Sequence, residues 1–141
     1  MQNSASKWET YKQTMVVPAS LWSAAKANDV SQLAQLLAAG AEIDERDARG
    51  YSALMLAAYS GNDAAFEYLL AHGADPNSVD AGGNSVLMGA AFKGHTRMVK
   101  QLLDAGADAR HRNHAGLDAR AFAENFGRSE VLGLLHEEYC A

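Results

Sequence analysis

A fixed spacing of 33 residues runs through most of this 141-residue chain. Glycine recurs at this spacing in three separate registers, and alanine and leucine each occupy one more. The five registers are Gly40, Gly73 and Gly106; Gly50, Gly83 and Gly116; Gly61, Gly94 and Gly127; Ala24, Ala57, Ala90 and Ala123; and Leu36, Leu69, Leu102 and Leu135. A period of this length indicates stacked structural units, none of which can bury its apolar side alone. It therefore predicts a linear array rather than a closed sheet or barrel.

Each period contains two short helical patterns. In the stretch YSALMLAAYSGNDAAFEYLLAHGAD, residues 51–75, apolar residues recur at helical spacing before and after a Gly-Asn pair. Ser52 is predicted to cap the first helix, and Asn62 or Asp63 the second. Gly73 is expected to end the second helix in a left-handed conformation. Helices shorter than about 12 to 15 residues are marginal on their own, so neighbouring units must stabilise each pair.

The units resemble the ankyrin repeat, in which a β-turn finger precedes an antiparallel helix pair. The resemblance rests on GYSALMLAAYSGNDAAFEYLLAHGADPN and GNSVLMGAAFKGHTRMVKQLLDAGADAR, two internal repeats that align without gaps. It implies an all-α ankyrin-repeat solenoid of helix-turn-helix units with β-turn fingers. We place a repeat domain at residues 18–141, with units at about 18–46, 47–79, 80–112 and 113–141, and an N-terminal extension at 1–17. The first and fourth units resemble capping repeats.

The sequence departs from the family pattern at the start of the first helix of each unit. The family's Thr-Pro-Leu-His appears as SALM and SVLM, so Met55 and Met88 replace a histidine that commonly bonds neighbouring backbone. We expect weaker tethering between units and an unchanged fold. In the fourth unit Arg120 takes a leucine position, which suits a face turned towards water.

Composition narrows the class of protein. The formal net charge of −5 and the pI of about 5.4 disfavour a nucleic-acid partner. No apolar run approaches the roughly 20 residues of a membrane span, and the N-terminus does not have the composition of a secretory signal. Cys140 is the only cysteine, so no intrachain disulfide can form. We therefore expect a cytoplasmic protein without a membrane partner.

Two chemical alternatives follow from the histidines and Cys140. His95 occupies a position at which it can cap a helix. Asp108, His111 and His114 have a D-x-x-H-x-x-H spacing that could gather a transition metal. On an extended finger these side chains need not converge, and both readings remain open. Cys140 stands apart from any basic cluster that would activate it. We predict that the protein is not an enzyme and needs no cofactor.

The resemblance implies that partner proteins bind a concave face formed by the fingers and the first helices. The positions of this sequence that match the family's contact positions are Arg46, Arg49, Tyr51, Tyr59, Val79, Asn84, Phe92, Lys93, Arg112, His114 and Phe126. The aromatic residues among them either point into the concavity or pack between units. The arginines suit an acidic partner, or belong to a solvated surface.

The predicted function is a protein-protein interaction module acting as an inhibitor, immunity or regulatory protein of bacterial type. The extension at 1–17 leaves further alternatives open, because Trp8, Tyr11 and Met15 are spaced for one face of a helix. This face could cover the apolar side of the first unit, or serve as a dimerising or partner-binding arm. A monomer or a weak homo-oligomer is expected, and the alternative functions are a metal-binding protein that uses the finger histidines and a structural subunit of a homo-oligomer.

Overall fold

The computed structural model of the chain describes residues 20–140. Within that range the chain forms eight helices in four consecutive pairs, which confirms the predicted all-α array. The helices are α1 (Leu21–Lys26), α2 (Val30–Ala38), α3 (Ala53–Ser60), α4 (Asp63–Ala71), α5 (Val86–Lys93), α6 (Thr96–Asp104), α7 (Ala119–Asn125) and α8 (Ser129–Cys140). None of these helices has the length and apolar character needed to cross a membrane.

The helices form two rows. The first helices of the four pairs pack side by side, α1 on α3, α3 on α5 and α5 on α7. In the second row α2 packs on α4 and α6 packs on α8, while Glu67 of α4 accepts a hydrogen bond from Gln101 of α6. A two-layer array of helices of this kind buries a continuous core between the rows, as the repeat predicts.

The registers seen in the sequence correspond to layers of this core. The alanines of the first row, Ala24, Ala57, Ala90 and Ala123, are at most 2% exposed. Their small side chains allow the first-row helices to approach closely. In the leucine register Leu69, Leu102 and Leu135 are fully buried, but Leu36 of the first unit is only partly buried. The first unit has a neighbouring unit on one side only within the described residues, so its outer layer is less completely covered.

The repeated glycines occupy conformations that other residues avoid. All nine glycines of the three registers have positive φ, between 66° and 101°. Asn28 stands 33 residues before Gly61 and has φ 57°, the only positive value for a non-glycine residue in the described part of the chain. Asparagine tolerates the left-handed region better than most residues, so the same turn is kept in the first unit without glycine.

Serines cap α3 and α5, and the cap at Ser52 confirms the prediction. The Oγ of Ser52 accepts a hydrogen bond from the backbone N–H of Met55 at 3.2 Å, and Ser85 does the same for Met88 at 3.2 Å. The two methionines that replace the family's histidine are buried in the core, at 0% and 1% exposed.

Of the residues predicted to cap the second helices, Asn62 or Asp63 in one unit and His95 in the next, Asn62 and His95 occupy the cap. Both stand at the N-cap position, but neither side chain makes a capping bond. The amide of Asn62 instead donates to the carbonyls of Ala25 and Lys26 in the preceding unit, both at 2.8 Å. The ring of His95 likewise packs against Gly61. These side chains face the neighbouring unit, where the end of a first helix presents unpaired carbonyls.

Arg128 has the same role one boundary further along. It stands 33 residues after His95, and its Nε donates to the carbonyl of Phe92 at 3.0 Å. Asn62 and Arg128 thus join units at the position next to the helix-helix turn, and they supply tethers that the missing histidines do not.

The fingers are held by one repeated arrangement. In each, a side-chain oxygen accepts two backbone N–H groups of the same turn, at 2.9 Å in every case. The residues that supply this oxygen are Asp47, Asp80 and Asn113, which are 33 apart. Asp44 and Asn77 then accept the backbone N–H of Asp75 and Asp108, at 2.8 Å and 2.7 Å, across the boundaries between units. The fingers are therefore fixed relative to one another.

Candidate binding groove

An apolar recess of about 410 Å³ lies between the finger of the third unit and helix α5. We call it the groove. Its lining residues are Tyr59, Asp80, Asn84, Met88, Gly89, Phe92, Lys93 and Phe122. Helix α5 forms the floor, Tyr59 of α3 and Phe122 of α7 stand on either side, and Asp80 and Asn84 come from the finger. Three consecutive units therefore contribute to it, and its volume falls within the range of ligand recesses in proteins.

Gly89 shapes the floor of the groove. A Cβ atom at this position would lie 1.8 Å from Cε1 of Tyr59 and 2.6 Å from its Cδ1, well inside any permitted contact. The units on either side carry Leu56 and Phe122 in the same register. The missing side chain thus leaves a gap in a column of large residues, and the ring of Tyr59 from the preceding unit lies in it.

The aromatic side chains around the groove pack edge to face. The rings of Tyr51 and Tyr59 are 5.9 Å apart between centroids, at 89°. Phe92 meets Phe122 at 6.4 Å and Phe126 at 4.5 Å, at 90° and 77°. Phe92 belongs to the third unit and both of its partners to the fourth, so the rings pack across the boundary between units.

The aromatic residues were expected either to point into the concavity or to pack between units, and each alternative describes part of the arrangement. Tyr59 and Phe92 pack between units and also line the groove. Phe126 lies beyond Phe92 and is 49% exposed, the largest exposure of any large hydrophobic residue in the described part of the chain. It extends the apolar surface outside the groove itself.

The hydrogen-bonding groups on the finger side of the groove are already engaged. Oδ1 of Asp80 accepts the two N–H groups of its own turn, and Oδ2 accepts the amide of Asn84 at 3.4 Å. The Oδ1 of Asn84 accepts the amide of Asn113 at 2.8 Å. Burial raises the pKa of Tyr59 well above its ordinary value, and the neighbouring carboxylate of Asp80 and then Tyr51 raise it further. The phenol is accordingly neutral at physiological pH.

The cationic side chains near the groove are exposed, unlike the part-buried Asp80 and Asn84. Lys93 is exposed at the end of α5, and its Nζ lies 5.7 Å from the ring centroid of Phe92. Arg49 is 64% exposed in its side chain, its guanidinium carbon is 5.1 Å from the ring centroid of Tyr51, and Asp47 is 4.0 Å away. Each cation thus lies over an aromatic ring, at distances typical of cation–π contacts.

Of the residues that the sequence singles out for partner binding, Tyr59, Asn84, Phe92 and Lys93 line the groove, and the others are not among its lining residues. Arg46 donates a hydrogen bond to the carbonyl of Val79 and so joins two fingers. Val79 itself pairs with Ser85 in an antiparallel bridge. Structural contacts within the array therefore account for Arg46 and Val79 without a partner.

The remaining two predicted positions lie on the next finger, at the boundary between the third and fourth units. Arg112 and His114 are exposed. The backbone N–H of His114 donates to the carbonyl of Gly82 at 3.0 Å, and its ring lies against Gly83. Both residues belong to the finger edge and do not line the groove.

The spacing of Asp108, His111 and His114 does not correspond to a metal site. Oδ1 of Asp108 accepts the backbone N–H of Arg110 at 2.9 Å, and Nε2 of His111 is 2.8 Å from the carbonyl oxygen of Gly83. Among the described side chains, residues 20–136, no three of His, Cys, Asp or Glu come together as metal ligands would. The predicted apolar face of Trp8, Tyr11 and Met15 lies outside the described residues.

Four groove residues are absent from the sequence-based selection: Asp80, Met88, Gly89 and Phe122. Asp80 shares its register with Asp47 and Asn113, so the sequence marks it as a repeated finger residue. A repeated finger residue is a candidate to border a recess beneath the finger. Gly89 offers a second signal, since the units on either side carry the large residues Leu56 and Phe122 in its register.

Comparison with known families agrees with the architecture. A family model of ankyrin repeats, in three copies, matches residues 21–113. The fourth unit lies beyond this match, although α7 and α8 pack on α5 and α6 in the same manner as the earlier pairs. No curated protein is similar enough to the chain to count as a match.

Proposed function

Because the chain belongs to the ankyrin-repeat family, whose members generally act as protein-protein interaction modules, we propose that it binds a partner protein through the groove of the third unit. The observation that carries this proposal is the position of the groove. It is the point at which a finger, a first-row helix and aromatic residues of both neighbouring units meet around an open apolar recess.

The composition of the groove supports a role as the centre of an interface. Residues that dominate binding energy are most often aromatic residues and arginine in desolvated recesses. Tyr59, Phe92 and Phe122 supply such a recess, and the exposed ring of Phe126 continues it. A stable interface covers about 800 Å² on each partner, so the fingers and the exposed ends of the first helices would form its rim.

The rigidity of the groove also favours binding. Its floor belongs to a helix whose other side is buried in the core, and its finger wall is held by the hydrogen bonds of Asp80 and Asn84. A preformed surface loses little conformational entropy when a partner binds. The proposal assigns no catalytic residue, in keeping with a family that is typically non-enzymatic.

Affinity capture from cells of the native host tests this function. Phe92→Ala and Phe126→Ala truncate the groove and its exposed extension, and Lys100→Ala changes an exposed residue of α6 on the opposite row. We expect a partner that the wild type retains to be recovered about tenfold less with Phe92→Ala or Phe126→Ala, and equally with Lys100→Ala. Thermal melts of each variant confirm that it is folded. A partner that tolerates both groove variants would refute the proposal.

A further inference from the structure

The charges around the groove are arranged in a way that bears on the chemistry of the partner. Arg49 lies over Tyr51, Tyr51 contacts Tyr59, Tyr59 lines the groove, and Phe92 at its other side carries Lys93. Lys93 therefore lies in the lining of the recess, and Arg49 is linked to its Tyr59 side through the ring of Tyr51.

Within the described part of the chain, these cations have little to pair with. The ion pairs of the described residues join Arg49 to Asp47, Arg97 to Glu67, and Arg120 to Glu124. Lys93 takes part in none of them, and the separation of 4.0 Å for Arg49 is the longest of the three. Exposed pairs at such a distance contribute little, so Arg49 remains available to a second carboxylate.

The anionic and amide groups that border the groove are, in contrast, already used. Asp80 accepts three hydrogen bonds from its own finger, and both ends of the Asn84 amide are engaged. A partner therefore meets an apolar recess that has one exposed cation, Lys93, in its lining and a second, Arg49, beyond Tyr51.

We infer that the segment which the groove binds is an acidic peptide stretch that carries one large apolar side chain. The apolar side chain lies between Tyr59 and Phe122, and carboxylates on either side of it pair with Lys93 and Arg49. This inference rests on the proposed function and specifies the partner's chemistry.

The acidic character of the whole chain does not oppose this pairing at close range. The net charge of −5 acts over the molecule as a whole, but at physiological ionic strength the screening length is about 8 Å. A carboxylate in contact with Lys93 is therefore governed by the local cation. The long-range repulsion acts mainly on the rate of encounter.

Synthetic peptides and the full-length chain test the inference. The first peptide has a central phenylalanine flanked by glutamates, the second replaces phenylalanine with alanine, and the third replaces the glutamates with lysines. Binding is followed by the backbone amide NMR signals of Gly89 and Asn84. We expect the acidic phenylalanine peptide to shift both signals, and the alanine and lysine peptides to bind at least about tenfold more weakly.

Matched charge reversals locate the interaction. Lys93→Glu should weaken the acidic peptide about threefold to tenfold, whereas Lys100→Glu makes the same change of net charge on α6 and should leave its affinity within about twofold. Equal binding of the acidic and lysine peptides, equal effects of the two reversals, or no shift with any peptide would overturn the inference. The proposed function would stand in each case if capture of a cellular partner still depended on Phe92 and Phe126.

Discussion

Replacing Gly89 with alanine should destabilise the protein, against the usual effect of this substitution. In a helix interior alanine is normally more favourable than glycine by about 1 kcal/mol. Here the added methyl group would lie 1.8 Å from Cε1 of Tyr59, about half an ordinary carbon-carbon separation. Overpacking of this kind costs up to about 3 kcal/mol. The difference predicts a net loss of about 2 kcal/mol in the free energy of unfolding.

A double-mutant cycle with Tyr59→Ala isolates this contact. Without the ring, Gly89→Ala should recover its normal benefit of about 1 kcal/mol, so the two sites should be coupled by about 3 kcal/mol. Urea denaturation followed by circular dichroism gives the four stabilities. Gly133 of α8 is the matched control, because a Cβ there meets nothing within 4 Å and alanine should stabilise both backgrounds equally. A stabilising effect of Gly89→Ala in the wild type would refute the packing account of the groove.

Four further measurements follow from the same contacts. Asp80→Ala should cost about 1–3 kcal/mol because two finger N–H groups lose their acceptor, while Asp80→Asn keeps it and should change stability by less than about 0.5 kcal/mol in urea denaturation. Asn62→Ala should speed amide hydrogen exchange in α1, because the carbonyls of Ala25 and Lys26 each lose a hydrogen bond, and leave α6 unchanged. The raised pKa of Tyr59 means that its stabilising effect is complete below about pH 10 and is lost as the pH rises above that value, so urea midpoints of the wild type should fall more steeply there than those of Tyr59→Phe. The fragment 1–75 should show no cooperative melt, since about three units are needed for a continuous core, and a melt like that of the intact chain would contradict this.

The pairing of helices could be predicted from the sequence because each register reports one environment several times. A single alanine such as Ala57 does not reveal whether it is buried. Because alanine occupies the same position in all four units, a buried position in the first row of helices is the simplest explanation of the pattern. The same repetition places the fingers and their glycines. Local rules sufficed for the serine caps too, because a cap such as Ser52 bonds to a residue three positions along the chain.

The side chains at the boundaries between units escaped prediction for the opposite reason. The side chain of Asn62 can bond either to the N-terminus of its own helix or to carbonyls 36 and 37 residues earlier in the chain. Only the geometry of the stacked units determines which of these bonds forms. The groove poses a related difficulty. Positions taken from the family pattern located Tyr59 and Phe92, but the recess exists because Gly89 lacks a side chain, and a residue-by-residue search for binding groups passes over glycine.

The ion pair between Arg120 and Glu124 in α7 affects how copies of the chain can associate. Their equivalents in the second and third units, Leu54 and Leu87 together with Ala58 and Ala91, are buried beneath the next helix pair. In the fourth unit the two charged side chains are 49% and 53% exposed and paired at 3.0 Å. Stacking of identical units has no inherent stopping point, and head-to-tail addition would build an open fibre. Charged groups at these two positions would have to be dehydrated before another copy could add there, so the molecule resists polymerising from this end.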